Sequence, residues 1–182
     1  MSRWRAWLAV VISACCLSAC AGSPADRPQA AYLGPDSHQS LADYRGYAQD
    51  SLAQDLPEEV HLYGLVTFPE PLPGPEAARV IDAGVEITRI AAIVPVDLAP
   101  IVVPEPSAEW DRSRLFETYL TQATGDPAAA EPHPTIRSLV VLAPLSTLRA
   151  LAGQPGIDIV EAAEGPSAYG LLGIRPVTDH AG

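Results

Sequence analysis

The sequence predicts an α+β domain of order βαββαβ: a four-stranded antiparallel sheet, two helices on one face, and a helical insertion between the halves. Two internal segments carry that prediction. "LVTFPEPLPGPEAARVIDAGVEITRI" begins at Leu65, and "LVVLAPLSTLRALAGQPGIDIVEA" begins at Leu139. Each reads as an aliphatic strand, Pro-Leu, a short helix, Gly, and an alternating strand. Pro71-Leu72 matches Pro144-Leu145, and Gly84-Val85-Glu86-Ile87 matches Gly156-Ile157-Asp158-Ile159.

Local chemistry supports both helices. Gly74 and Pro75 open the first, because proline's missing donor would be unpaired in the first turn anyway. Gly84 stops it where a positive φ is needed. Ser146 is placed to cap the second, with Leu148, Leu151 and Ala152 on its inner face. The turn "QPG" then starts the strand "IDIVEAA". Strand, helix, strand, repeated, is the split βαβ arrangement of ferredoxin-like domains. Right-handed crossovers put both helices on one face. Ile87 and Ile159 are then expected to face those helices in one shared core.

Ahead of this domain, residues 40–57 read as an amphipathic helix. Leu41, Tyr44, Ala48, Leu52 and Leu56 share an arc of about 120°. Ser40 caps it, Asp43 follows three positions on, and Pro57 closes it. The stripe is expected to pack on the following domain, with recruitment of a partner as the alternative.

Residues 95–134 form the insertion. "PVDLAPIVVPEP" holds too many prolines for a central strand and reads as an extended edge or surface arm. "SAEWDRSRLFETYLTQATG" reads as a helix capped at Ser107 and ended by Gly125. Its stripe is Leu115, Phe116, Tyr119, Leu120 and Ala123. Trp110 lies off that stripe, either as a lid over the domain edge or as a binding anchor.

All three cysteines, Cys15, Cys16 and Cys20, fall near the N-terminus. Arg3 and Arg5 precede a short apolar run, which describes an export signal. The run is shorter than the roughly 20 residues of a bilayer span. It ends in "LSAC", Leu17 to Cys20, which resembles the lipobox of bacterial lipoproteins at all four positions. The resemblance implies that residues 1–19 are removed and that Cys20 becomes a lipidated first residue. It places the chain on the membrane, facing outside the cytoplasm, in the outer leaflet where a cell has one membrane. Residues 20–39 are then a polar tether, and 58–182 the domain.

Removing residues 1–19 leaves nine arginines against 22 acidic residues. That balance disfavours nucleic acid and leaves attachment to acyl chains, not headgroup electrostatics. No intramolecular disulfide is available. The chain has no Lys and no Asn, as a GC-rich bacterial genome would give.

The residues point to no catalytic, cofactor or metal site. His38, His61, His133 and His180 are scattered without metal-ligand spacing. No P-loop, GxGxxG, GxSxG or HExxH pattern occurs. Glu58 and Glu59 are adjacent, so their side chains diverge on a strand. Asp111, Arg112, Arg114 and Glu117 read as surface pairing on the inserted helix.

Residues 139–163 are similar to the C-terminal half of the subtilisin propeptide and related proteinase-inhibitor domains. Ser146, Leu148, Leu151, Pro155, Ile159, Val160 and Glu161 carry the similarity. It implies the same ferredoxin-like fold. The functional expectation is a non-catalytic lipoprotein whose domain binds another envelope or secreted protein. Its contacts are sought on the open sheet face and the inserted arm, with Tyr63, Phe68 and Trp110 as candidates. The alternatives are an assembly lipoprotein for envelope integrity, a propeptide-like protease inhibitor, and an enzyme.

Overall fold

The computed structural model describes residues 31–83, 86–105, 111–124, 134–166 and 172–177. Cys20, Gly84, Ser107, Trp110 and Gly125 lie outside the described residues. In chain order the elements are β1 (Ala31–Leu33), α1 (Leu41–Leu52), β2 (His61–Leu72) and α2 (Gly74–Asp82). They continue with β3 (Arg89–Pro95), β4 (Ile101–Val102), α3 (Arg112–Thr124) and β5 (Ile136–Pro144). The last are α4 (Leu145–Ala152), β6 (Ile159–Ala162) and β7 (Leu172–Ile174).

The architecture is mixed α+β. A five-stranded antiparallel sheet has the order β4-β3-β5-β2-β6, and β1 and β7 form a separate parallel pair. On β2, Leu62, Val66 and Phe68 face one core, which α2, α3 and α4 complete with Ile81, Phe116 and Leu148. The prolines of the insertion give a two-residue edge strand: Ile101 and Val102 pair with Ile93 and Ala92 of β3.

Both crossover helices start on proline. Pro73 and Pro144 flank them with nearly the same backbone, φ −56°, ψ 150° and φ −55°, ψ 148°. The structural equivalent of Pro144 is therefore Pro73, two residues beyond the Pro71 that sequence matching suggests. Ser146 does not cap α4. The helix begins one residue earlier, and its first amides donate to strand-side carbonyls: Leu145 N to Val60 O, and Ser146 N to Glu58 O. The "QPG" turn holds: Ile157 N donates to Gln154 O at 3.2 Å, with Gly156 at φ +88°. Pro followed by a positive-φ Gly is the type II pattern.

The main departure concerns the second sheet face, which is not open. Tyr63, Leu65, Ala91, Val94, Val140 and Ile159 point to it, and Leu33, Tyr44, Ala48 and Val177 cover them in a second core. Residues 31–39, expected to end a tether, are therefore folded in part: Leu33 is fully buried and Tyr32 pairs with Gly173. Burial on both faces also reverses one expected orientation. Ile87 lies in the helix-side core, whereas Ile159 lies in the second core and Val160 takes the helix side. With apolar residues wanted on both faces, the pair Ile159-Val160 carries no period-two signal to fix which points where.

Candidate functional site

α1 starts as its sequence directs but ends at Leu52, so Leu56 and Pro57, expected on its stripe and at its close, lie beyond the helix. Ser40 Oγ accepts from Asp43 N at 3.1 Å, and its hydroxyl donates to the Asp43 carboxylate at 2.6 Å. The stripe then places Tyr44, Ala48 and Leu52 inward. α1 lies along edge strand β6, where Ser51 Oγ accepts from Ala162 N at 2.9 Å; just past both elements, Gln54 Nε2 donates to Ala163 O at 3.0 Å. An edge that could recruit another strand is thereby closed by a helix. Arg45 adds an ion pair to Asp158 at 2.7 Å.

Within this junction β6 carries one charged side chain, Glu161, on the face that bears Ile159 and Ala163. It is 1% exposed. Its Oε2 accepts from Gly34 N at 2.6 Å and from the Tyr44 hydroxyl at 2.7 Å. Glycine at position 34 is required twice over. Its φ is +100°, and a Cβ there would lie 2.0 Å from Arg175 O. That close approach of β1's end to β7's end lets the Gly34 amide reach the carboxylate.

Burial raises the Glu161 pKa above the ordinary carboxylate range, although the Gly34 amide, the Tyr44 hydroxyl and Arg175 all favour the ionised form. Tyr44 is pushed far above the usual phenol range by burial and by the negative charge beside it, so it stays a donor. Tyr47, at the rim, is raised for the same reasons to a smaller depth of burial, with Arg175 opposing.

Glu161 lines a cleft of about 280 Å³ together with Tyr32, Gly34, Asp36, Gln39, Tyr47, Glu164 and Arg175. The Arg175 guanidinium stands 4.4 Å from the Tyr32 ring centre and pairs with Asp36. Tyr32 and Tyr47 are 54% and 43% exposed, two of the three large apolar side chains so exposed among the described residues. The arrangement combines aromatic walls, three carboxyl groups and one guanidinium. Such a set suits polar and cationic recognition.

The expected contact residues lie elsewhere. Phe68 is fully buried in the helix-side core, and Tyr63 is 7% exposed in the second core, so both rings pack inward and are corrected as partner contacts. Glu58 pairs with Arg149, and His61 is an exposed residue opening β2. Arg112 is not a surface pair. It holds Glu105, whose side chain is 6% exposed, and also bonds Asp82. Glu105 in turn accepts from Ile90 N at 2.7 Å, so this cluster fastens the inserted arm to β3 and α2. Among the described residues Asp111 offers an α3 cap: its Oδ1 accepts from Arg114 N at 2.8 Å.

Sequence reasoning passed over Tyr32, Tyr47, Glu161 and Arg175 as a group, because they come from β1, α1, β6 and the residue after β7. The available signal was Glu161, an acid inside an otherwise apolar strand. Comparison with protein-family models, curated proteins and solved structures finds no match to this chain.

Proposed function

We propose that this chain is a lipid-anchored, extracytoplasmic binding module, attached to the membrane through Cys20, whose α+β domain engages another envelope or secreted protein without chemistry of its own. The lipobox "LSAC" supports the anchor. We propose in addition that the domain is ferredoxin-like. The order β6-β2-β5-β3 supports this, as does the placing of both crossover helices against one core.

The observation that carries the binding reading is the exposure of Tyr32 and Tyr47 beside the Arg175 cleft. Tyr and Arg are the residue types that dominate protein contacts, and an unburied pair of rings around a polar cleft fits such a contact. The site also stands close to the point of attachment. Ten residues of sequence, 21–30, separate Cys20 from β1.

The test is affinity capture from detergent-solubilised membranes with the wild-type chain and with the Tyr32→Ala/Tyr47→Ala double variant. The reading expects a discrete partner retained by the wild type and lost from the variant. A partner held equally by both, or none held by either, contradicts it.

A further inference from the structure

We infer that the Tyr32–Tyr47 cleft receives a basic side chain, an arginine or lysine of the protein partner. This names the chemistry of the contact proposed above and rests on that reading for the source of the cation.

Four observations lead there. Asp36, Glu161 and Glu164 put three carboxyl groups on the cleft against the single guanidinium of Arg175. Glu161 is 1% exposed, and both of its hydrogen bonds fall on Oε2. Glu161 nonetheless lines the cleft, and neither of those two bonds uses Oε1. Tyr32 already carries the Arg175 guanidinium at 4.4 Å, which shows that the cleft accommodates a cation against a ring, and Tyr47 stands 43% exposed at its rim.

Two further facts select the kind of cation. Among the described residues no three His, Cys, Asp or Glu side chains are grouped to hold a metal ion, which favours an organic cation over a metal. The cleft, at about 280 Å³, stands at the lower bound of the roughly 300–1,000 Å³ of small-molecule pockets. It has the size for one long side chain. An incoming ammonium or guanidinium would meet Oε1 of Glu161 and the Glu164 carboxylate. Its methylene stem would lie along the tyrosine rings.

The full chain in non-ionic detergent, at pH 8, is titrated with an acetylated, amidated Gly-Arg-Gly peptide. Binding is followed by the amide NMR signal of Gly34, which bonds directly to Glu161. The peptide with citrulline for arginine has nearly the same shape without the charge. The inference expects a saturable Gly34 shift with the arginine peptide and at least tenfold weaker binding of the citrulline peptide. The exposed-site variants Asp36→Asn and Glu164→Gln, which leave the core untouched, should also weaken the arginine peptide at least tenfold when combined. No saturable shift, equal binding of the two peptides, or unchanged binding by the combined variant overturns it. Butylammonium binding at least tenfold tighter than the peptide overturns the assignment to a partner side chain. A captured partner without peptide binding sinks this inference alone, whereas peptide binding without a captured partner sinks only the wider reading.

Discussion

Replacing Tyr44 with Phe removes one hydroxyl from the interior and nothing else. Tyr44 is fully buried, so the ring still fills its site and no cavity opens. What is lost is a 2.7 Å hydrogen bond to a carboxylate that is 1% exposed. A bond to a charged group contributes about 1.5–3 kcal/mol, against about 0.5–1.5 kcal/mol for a neutral pair. The loss therefore depends on whether Glu161 is ionised. Burial holds its folded pKa above the ordinary range, so the acid is neutral at low pH and its bond to Tyr44 is the weaker kind. As pH rises through the raised value the bond becomes charge-assisted. Tyr44→Phe should thus destabilise by about 1 kcal/mol near pH 4 and by about 2–3 kcal/mol near pH 8. Urea unfolding of wild type and variant at several pH values, followed by circular dichroism, measures this. A difference below about 0.5 kcal/mol at pH 8, or one that shrinks as pH rises, refutes the account of Glu161 as a buried acid tied by Tyr44.

Other outcomes follow from the same structure. Glu161 has a raised folded pKa, so its stabilising contribution is complete below the ordinary carboxylate pKa and is lost as pH rises through the folded value. Glu161→Gln should remove that decline from the stability–pH curve, and an unchanged curve counts against it. Ile87→Ala and Ile159→Ala should each cost about 2–5 kcal/mol by denaturant unfolding, and the double variant should be additive within about 0.5 kcal/mol because the residues sit in different cores. Gly156→Ala should cost about 1–2 kcal/mol, since φ is +88° there; a neutral result contradicts the turn assignment. Cys20→Ser should abolish fatty-acid labelling and leave the precursor uncleaved, read by metabolic labelling and intact mass. A labelled variant, or wild type beginning at another residue, defeats the lipoprotein assignment.

The sequence was informative wherever a local rule had no competitor. Ser40 caps α1, the stripe Tyr44-Ala48-Leu52 is buried, and the proline-rich arm ends as an edge strand. It misled where a tertiary layer changed the rule. Ala21 to Gln39 is polar enough to read as a tether, yet residues 31–39 help close the sheet, with Leu33 fully buried in the second core and β1 paired to β7. That added layer is why β6 shows no alternation and why the orientation of Ile159 was unreadable. Ser146 looked like a cap because the carbonyls of Glu58 and Val60, far away in sequence, do the capping instead. The cleft was hidden for the same reason: Tyr32, Tyr47, Glu161 and Arg175 share no spacing, and only the packing of β1, α1, β6 and β7 joins them.

Photo-cross-linking in intact cells tests most directly the claim that the tyrosine cleft meets a partner. A photoreactive side chain is placed at Tyr47 on the cleft rim, and at exposed Glu117 of α3 on the helix side as the control. The account predicts a discrete higher-mass adduct from position 47, competed by excess wild-type chain, and none from position 117. Adducts of the same pattern from both positions, or an adduct from 117 alone, would contradict it.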